Sequence, residues 1–79
     1  MDYELTQAID FGRDPTELEI EIATEYPPTF LVGEMVYDIH SPTFPWEVKI
    51  IFWSDYFATW VYSSGITNTF IGQSDLRQK

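Results

Sequence analysis

From residue 29 onward the chain breaks into short β-branched and aromatic runs separated by proline, glycine and serine, and this spacing constrains the fold more than any other feature. Runs of ~4–8 such residues bounded by turn formers read as strands. The first covers residues 30–39, where Val32-Gly33-Glu34-Met35-Val36-Tyr37 enters a strand through a glycine turn. Ser41-Pro42-Thr43-Phe44-Pro45 is a loop, because its prolines cannot pair in a central strand. Residues 46–53 form the second strand, with Trp46, Val48, Ile50 and Phe52 on one face and Glu47, Lys49, Ile51 and Trp53 on the other. Phe52 is thereby assigned to the core. Residues 56–62 complete a hairpin across Ser54-Asp55, and residues 66–71 follow the Ser63-Ser64-Gly65 turn. The polar tail, residues 72–79, begins with one helical turn. Four short strands at this spacing predict a mainly β domain, a small antiparallel barrel.

A chain of 79 residues is one domain, and at that size only ~60–65% of the unfolded surface is buried on folding. Fourteen aromatics make a small core effective, since each buries ~150–250 Å². They are also too many for one barrel face. Trp46, Trp53, Tyr56, Phe57, Trp60 and Tyr62 sit on neighbouring strands whose residues point alternately to opposite sides, so some must leave the barrel interior. Either the N-terminal third covers them as a second small core, or they form an exposed groove or homodimer patch. Trp53, Tyr56 and Trp60 are the candidate anchors for the second outcome, tryptophan and tyrosine being favoured at interfaces.

Pro27-Pro28 separates this region, residues 29–77, from an acidic extension, residues 1–26. Neither proline can donate a backbone hydrogen bond, and the first holds Tyr26 extended. The extension holds eight carboxylates against one cation, Arg13, which leaves −7 of the chain's formal charge of −9 in its first third. Two patterns compete within it. Asp14-Pro15-Thr16-Glu17 has the composition of a capped helix start. Leu18, Ile20 and Ile22 nevertheless alternate with Glu17, Glu19 and Glu21, a period of two in which isoleucine favours a strand. The strand reading is preferred; it lines the three glutamates along one face as a ladder continued by Glu25. Residues 3–11 are expected to form a short helix ended by Gly12.

The pieces Val32-Gly33-Glu34-Met35-Val36, Trp46-Glu47-Val48-Lys49-Ile50-Ile51-Phe52-Trp53, Tyr56 to Tyr62, Gly65, and the closing segment from Phe70 through Ser74-Asp75-Leu76-Arg77 together resemble the SH3-like barrel pattern. That pattern is found in many small bacterial and phage proteins and in Tudor- or KOW-type modules. The resemblance covers about two thirds of the chain, residues 29–77. It implies a fold and selects no function, because the group includes binders of peptides, nucleic acids and protein subunits.

Catalytic signatures are scarce. His40 is the single histidine, cysteine is absent, and Ser63 and Ser64 have no other base to activate them. No glycine-rich phosphate cradle occurs. Carboxylate pairs arise by chance among thirteen acids. The expectation is a non-enzymatic protein without metal or cofactor. An acidic surface repels nucleic acid and acidic membranes and attracts basic surfaces, so the expected partner is a basic protein met by Glu17, Glu19, Glu21 and Glu25. A nucleic-acid-binding protein is one such partner, and the chain is similar in size and charge to phage anti-restriction and anti-CRISPR inhibitors that mimic DNA. The alternative is an adaptor or structural subunit using its aromatic surface. Met1-Asp2-Tyr3-Glu4 is acidic where a targeting segment would be basic, which points to the cytoplasm.

Overall fold

The computed structural model describes residues 9–66 and 69–79. It is mainly β, with one helix, α1 (Glu17–Glu25), followed by β1 (Met35–Asp38), β2 (Trp46–Glu47), β3 (Ile50–Ser54), β4 (Thr59–Ser63), β5 (Ile71–Gly72), a 3-10 turn (Gln73–Asp75) and β6 (Leu76–Gln78). The strands form two antiparallel three-stranded sheets, ordered β2-β1-β6 and β3-β4-β5. No closed barrel of paired strands joins them among the described residues.

The strand expected over residues 17–25 is a helix, and the local chemistry says why. Thr16 is the N-cap: its hydroxyl accepts from the Glu19 N–H at 3.1 Å while the Glu19 carboxylate accepts from the Thr16 N–H at 2.9 Å. This reciprocal box satisfies two of the donors that a helix start leaves orphaned. Tyr26 then leaves helical geometry (φ −142°, ψ 77°), as a residue before proline must. The helix does spread Leu18, Ile20 and Ile22 around its circumference. Ala23 and Glu19 are its buried residues, while Leu18 stands exposed. The short helix expected over residues 3–11 falls largely outside the described residues, and residues 9–11 are not helical.

The second expected strand is interrupted. Trp46-Glu47 pairs with β1, but Lys49 N–H donates to the Ser63 carbonyl of β4, so the chain changes partner sheet at Val48-Lys49. The break shifts the side-chain alternation by one residue. Val48 and Ile51, three positions apart, are both fully buried. Phe52 therefore points away from the core to which the sequence assigns it, and Ile51 replaces it. Tyr56 and Phe57 lie in the loop between β3 and β4, whose register runs from Ile50↔Ser63 to Ser54↔Thr59. Of the strand expected over residues 66–71 only Ile71 is in a strand, β5, with residues 67 and 68 outside the described set. The polar tail supplies a helical turn as expected, and then β6, which pairs with β1 and buries Leu76.

One core serves both sheets and the extension. Phe11 and Ala23 join Phe30, Val36, Val48, Ile51, Trp60, Tyr62 and Leu76 in it. The extension is anchored where Ile51 N–H donates to the Phe11 carbonyl at 2.9 Å. Gly12 makes that approach possible: its φ is +75°, and an added Cβ would sit 1.8 Å from the Lys49 carbonyl oxygen. Gly12→Ala should lower stability by more than ~2 kcal/mol, the left-handed backbone penalty alone approaching that; urea unfolding measures it.

Candidate docking surface

Helix α1 turns the expected ladder into two different things. Glu17, Glu21 and Glu25 are exposed and lie at i, i+4 and i+8, which places them in a single outward ridge with an axial step of ~6 Å. Glu19 faces inward. Its carboxylate accepts from the Trp53 N–H of β3 at 2.8 Å and pairs with the Arg13 guanidinium. Burial pushes the Glu19 carboxyl up, but the hydrogen bonds from Arg13, Thr16 and Trp53, with Arg13's charge, outweigh it and hold the group below its ordinary value. Arg13 also stacks 3.5 Å above the Phe52 ring. This is the chain's tie between helix and hairpin, and Glu19 is consumed by it.

The ridge, by contrast, is uncompensated. Among the described residues the ion pairs are Arg13 with Glu19 and Lys49 with Glu47, and no basic residue lies in the last turn of α1. Like charges at i, i+4 destabilise a helix by ~0.2–0.5 kcal/mol per pair, and Glu25 adds an acid at the negative end of the helix dipole. Glu17, in the first turn, is favoured by the same dipole, so the unfavourable terms fall on Glu21 and Glu25.

Of the three candidate aromatic anchors, two remain near the surface. Trp60 is 0% exposed, covered by Phe11 at 5.7 Å between ring centroids and donating its indole N–H to the Tyr26 carbonyl at 2.8 Å. It is a core residue, covered by the extension. Trp53 is half-buried, with its edge against Trp60 and Tyr26 and its indole N–H donated to Asp55. Tyr56 is 88% exposed and Phe57 69%, the two rings edge to face at the hairpin tip.

The outer face of β3 and β4 carries a feature that residue-by-residue reading misses. Phe52, Trp53, Phe57, Val61 and Phe70 line a shallow apolar groove of about 400 Å³, with Phe52 and Phe70 in edge contact at 5.1 Å. The signal was present in the alternation, since Phe52 and Val61 are paired across the strands, but only the break at Val48-Lys49 turns that face outward.

The Tyr62 phenol is buried, accepts from the Thr29 and Phe30 N–H groups and bonds to Gln73. Burial pushes its pKa up to about 12. His40 is exposed in the turn after β1, its backbone N–H donated to Asp38. Among the described residues no three His, Asp or Glu side chains gather in a metal-binding group, and no helix is long and apolar enough to cross a membrane. No protein-family model, curated protein or solved structure matches the chain.

Proposed function

We propose that this is a non-enzymatic, cytoplasmic binding protein that docks on a basic surface of a partner protein through the Glu17–Glu21–Glu25 ridge. The observation that carries the reading is the ridge of three outward carboxylates on α1 with no cation paired to it among the described residues, the nearby Arg13 being withdrawn to Glu19. A cationic partner relieves their repulsion on binding, and the ridge accelerates encounter by steering. The finer form of the proposal is an inhibitor that occupies a nucleic-acid-binding surface, in the manner of phage anti-restriction or anti-CRISPR proteins. Its support is the axial step of ~6 Å along the ridge, near twice the ~3.4 Å phosphate step of a DNA strand.

The framework we propose is SH3-like. Support comes from one long strand divided between two sheets as β2 and β3, and from a closing strand, β6, that follows a 3-10 turn and returns to β1. A second reading, an adaptor docking through aromatics, is favoured by the exposure of Tyr56 and Phe57 at the hairpin tip.

The test is capture of host proteins on immobilised wild-type chain and on the triple variant Glu17→Gln, Glu21→Gln, Glu25→Gln. The variant should fold with unchanged or slightly raised stability and lose a basic protein that the wild type retains at low salt. An identical captured set on both proteins would remove the ridge as the docking element.

A further inference from the structure

The ridge and the apolar groove are parts of one trough. Leu18 lines a recess on α1 together with Glu21, Ile22 and Glu25. The same Leu18 borders a second recess with Phe52, Trp53 and Asp55. Phe52 and Trp53 in turn form one wall of the hairpin groove with Phe57, Val61 and Phe70. The shared lining residues set the three recesses side by side, with Glu21 and Glu25 at one end and aromatic rings at the other, and Glu17 one helical turn beyond Glu21. Such a surface discriminates by having two ends, since each excludes what the other attracts.

We propose that the trough holds a cationic protein segment carrying one bulky apolar side chain, which enters the Phe52–Phe57–Val61–Phe70 groove while neighbouring lysines or arginines lie over Glu17, Glu21 and Glu25. This rests on the ridge reading above and adds the groove and the anchor to it. Charge complementarity selects the occupant. Arg13, the one cation lining the trough among the described residues, is paired with Glu19 and stacked on Phe52, so nothing there receives a phosphate. A second copy of the chain would bring another −9 toward the same carboxylates. The apolar end supplies the selectivity, because charge alone accepts any basic surface while a preformed ring-lined groove rewards a matching side chain.

The experiment uses two synthetic lysine-rich peptides of equal charge, one with a central phenylalanine and one with serine in its place, titrated into the intact chain at low salt with fluorescence anisotropy as readout. The phenylalanine peptide should bind about tenfold more tightly. Phe57→Ser, a change at an exposed loop position, should erase that advantage, and Val61→Thr should reduce it without altering the fold. The triple glutamine variant should weaken both peptides by a similar factor. Equal binding of the two peptides, abolished by salt, would overturn the groove proposal and leave the ridge reading standing. Failure of both peptides to bind would overturn the two together. Self-association of the wild type in sedimentation, dissolved by Phe57→Ser, would assign the groove to a second copy and also overturn the proposal.

Discussion

Trp60→Ala should remove a large share of the chain's stability and lower its urea midpoint steeply. The side chain is fully buried among Phe11, Trp53 and its neighbours and donates to the Tyr26 carbonyl. Truncating a buried tryptophan costs ~3–5 kcal/mol, and the abandoned carbonyl adds to it. A domain of this size has a total stability of only ~4–12 kcal/mol. Phe52→Ala, in the adjacent strand but on the outer face, should cost much less. Near-ultraviolet circular dichroism and urea midpoints of the two variants separate the faces: equal losses would mean that the strand alternation does not switch at Val48-Lys49.

Glu19→Ala should lower stability by ~3–5 kcal/mol, as expected when a buried pair loses one partner. Three effects coincide at this carboxylate: the helix cap is lost, the Trp53 N–H loses its acceptor, and Arg13 is left without its counter-ion. The contribution depends on pH in a determined direction. A carboxyl held below its ordinary value of 4.5 in the folded state stabilises fully above that pH, and the stability is lost as pH falls through the folded-state value. The stability difference between wild type and Glu19→Gln should therefore be constant near neutrality and shrink on acidification below about pH 4.5. A difference that grew on acidification would contradict the clamp.

The contrast between Glu19 and its neighbours explains what was legible in the sequence. The sequence pattern set a capping box at Asp14 and Glu17, two residues before the one that forms at Thr16 and Glu19, and Leu18, Ile20 and Ile22 also offered a period of two, so local pattern alone did not rank them. The decision lies in tertiary partners: Trp53 and Arg13 satisfy a carboxylate that a solvated strand would leave in water. The approximate strand regions after residue 29 were readable from turn residues and β-branched runs, but their bounds were not: β1 occupies only Met35–Asp38 of residues 30–39, and among the described residues of 66–71 only Ile71 lies in a strand. The switch at Val48-Lys49 was not readable either, because it depends on hydrogen bonds to Glu34 on one side and Ser63 on the other. For the same reason Phe52 was assigned to the core and Ile51 to the opposite face, the reverse of their observed placement. Counting rings showed that one face could not hold them all, but which rings were covered depended on where Phe11 and Tyr26 came to rest. Strand β6 carries little local signal, because Leu76 is the one apolar side chain in its three residues. The acidic ridge was visible as charge from the outset; its separation from Glu19 required the helix.

We propose that Glu17, Glu21 and Glu25 serve a cationic partner, whereas Glu19 serves the fold. This division is tested most directly by the association rate constant of the captured partner, measured across a salt series for wild type and for the triple glutamine variant. The wild-type rate should fall steeply between low and physiological salt, where the screening length shortens to ~8 Å. The variant should associate more slowly, with a flatter salt dependence and a dissociation rate changed far less. Identical association rates and identical salt slopes for the two proteins would contradict the account.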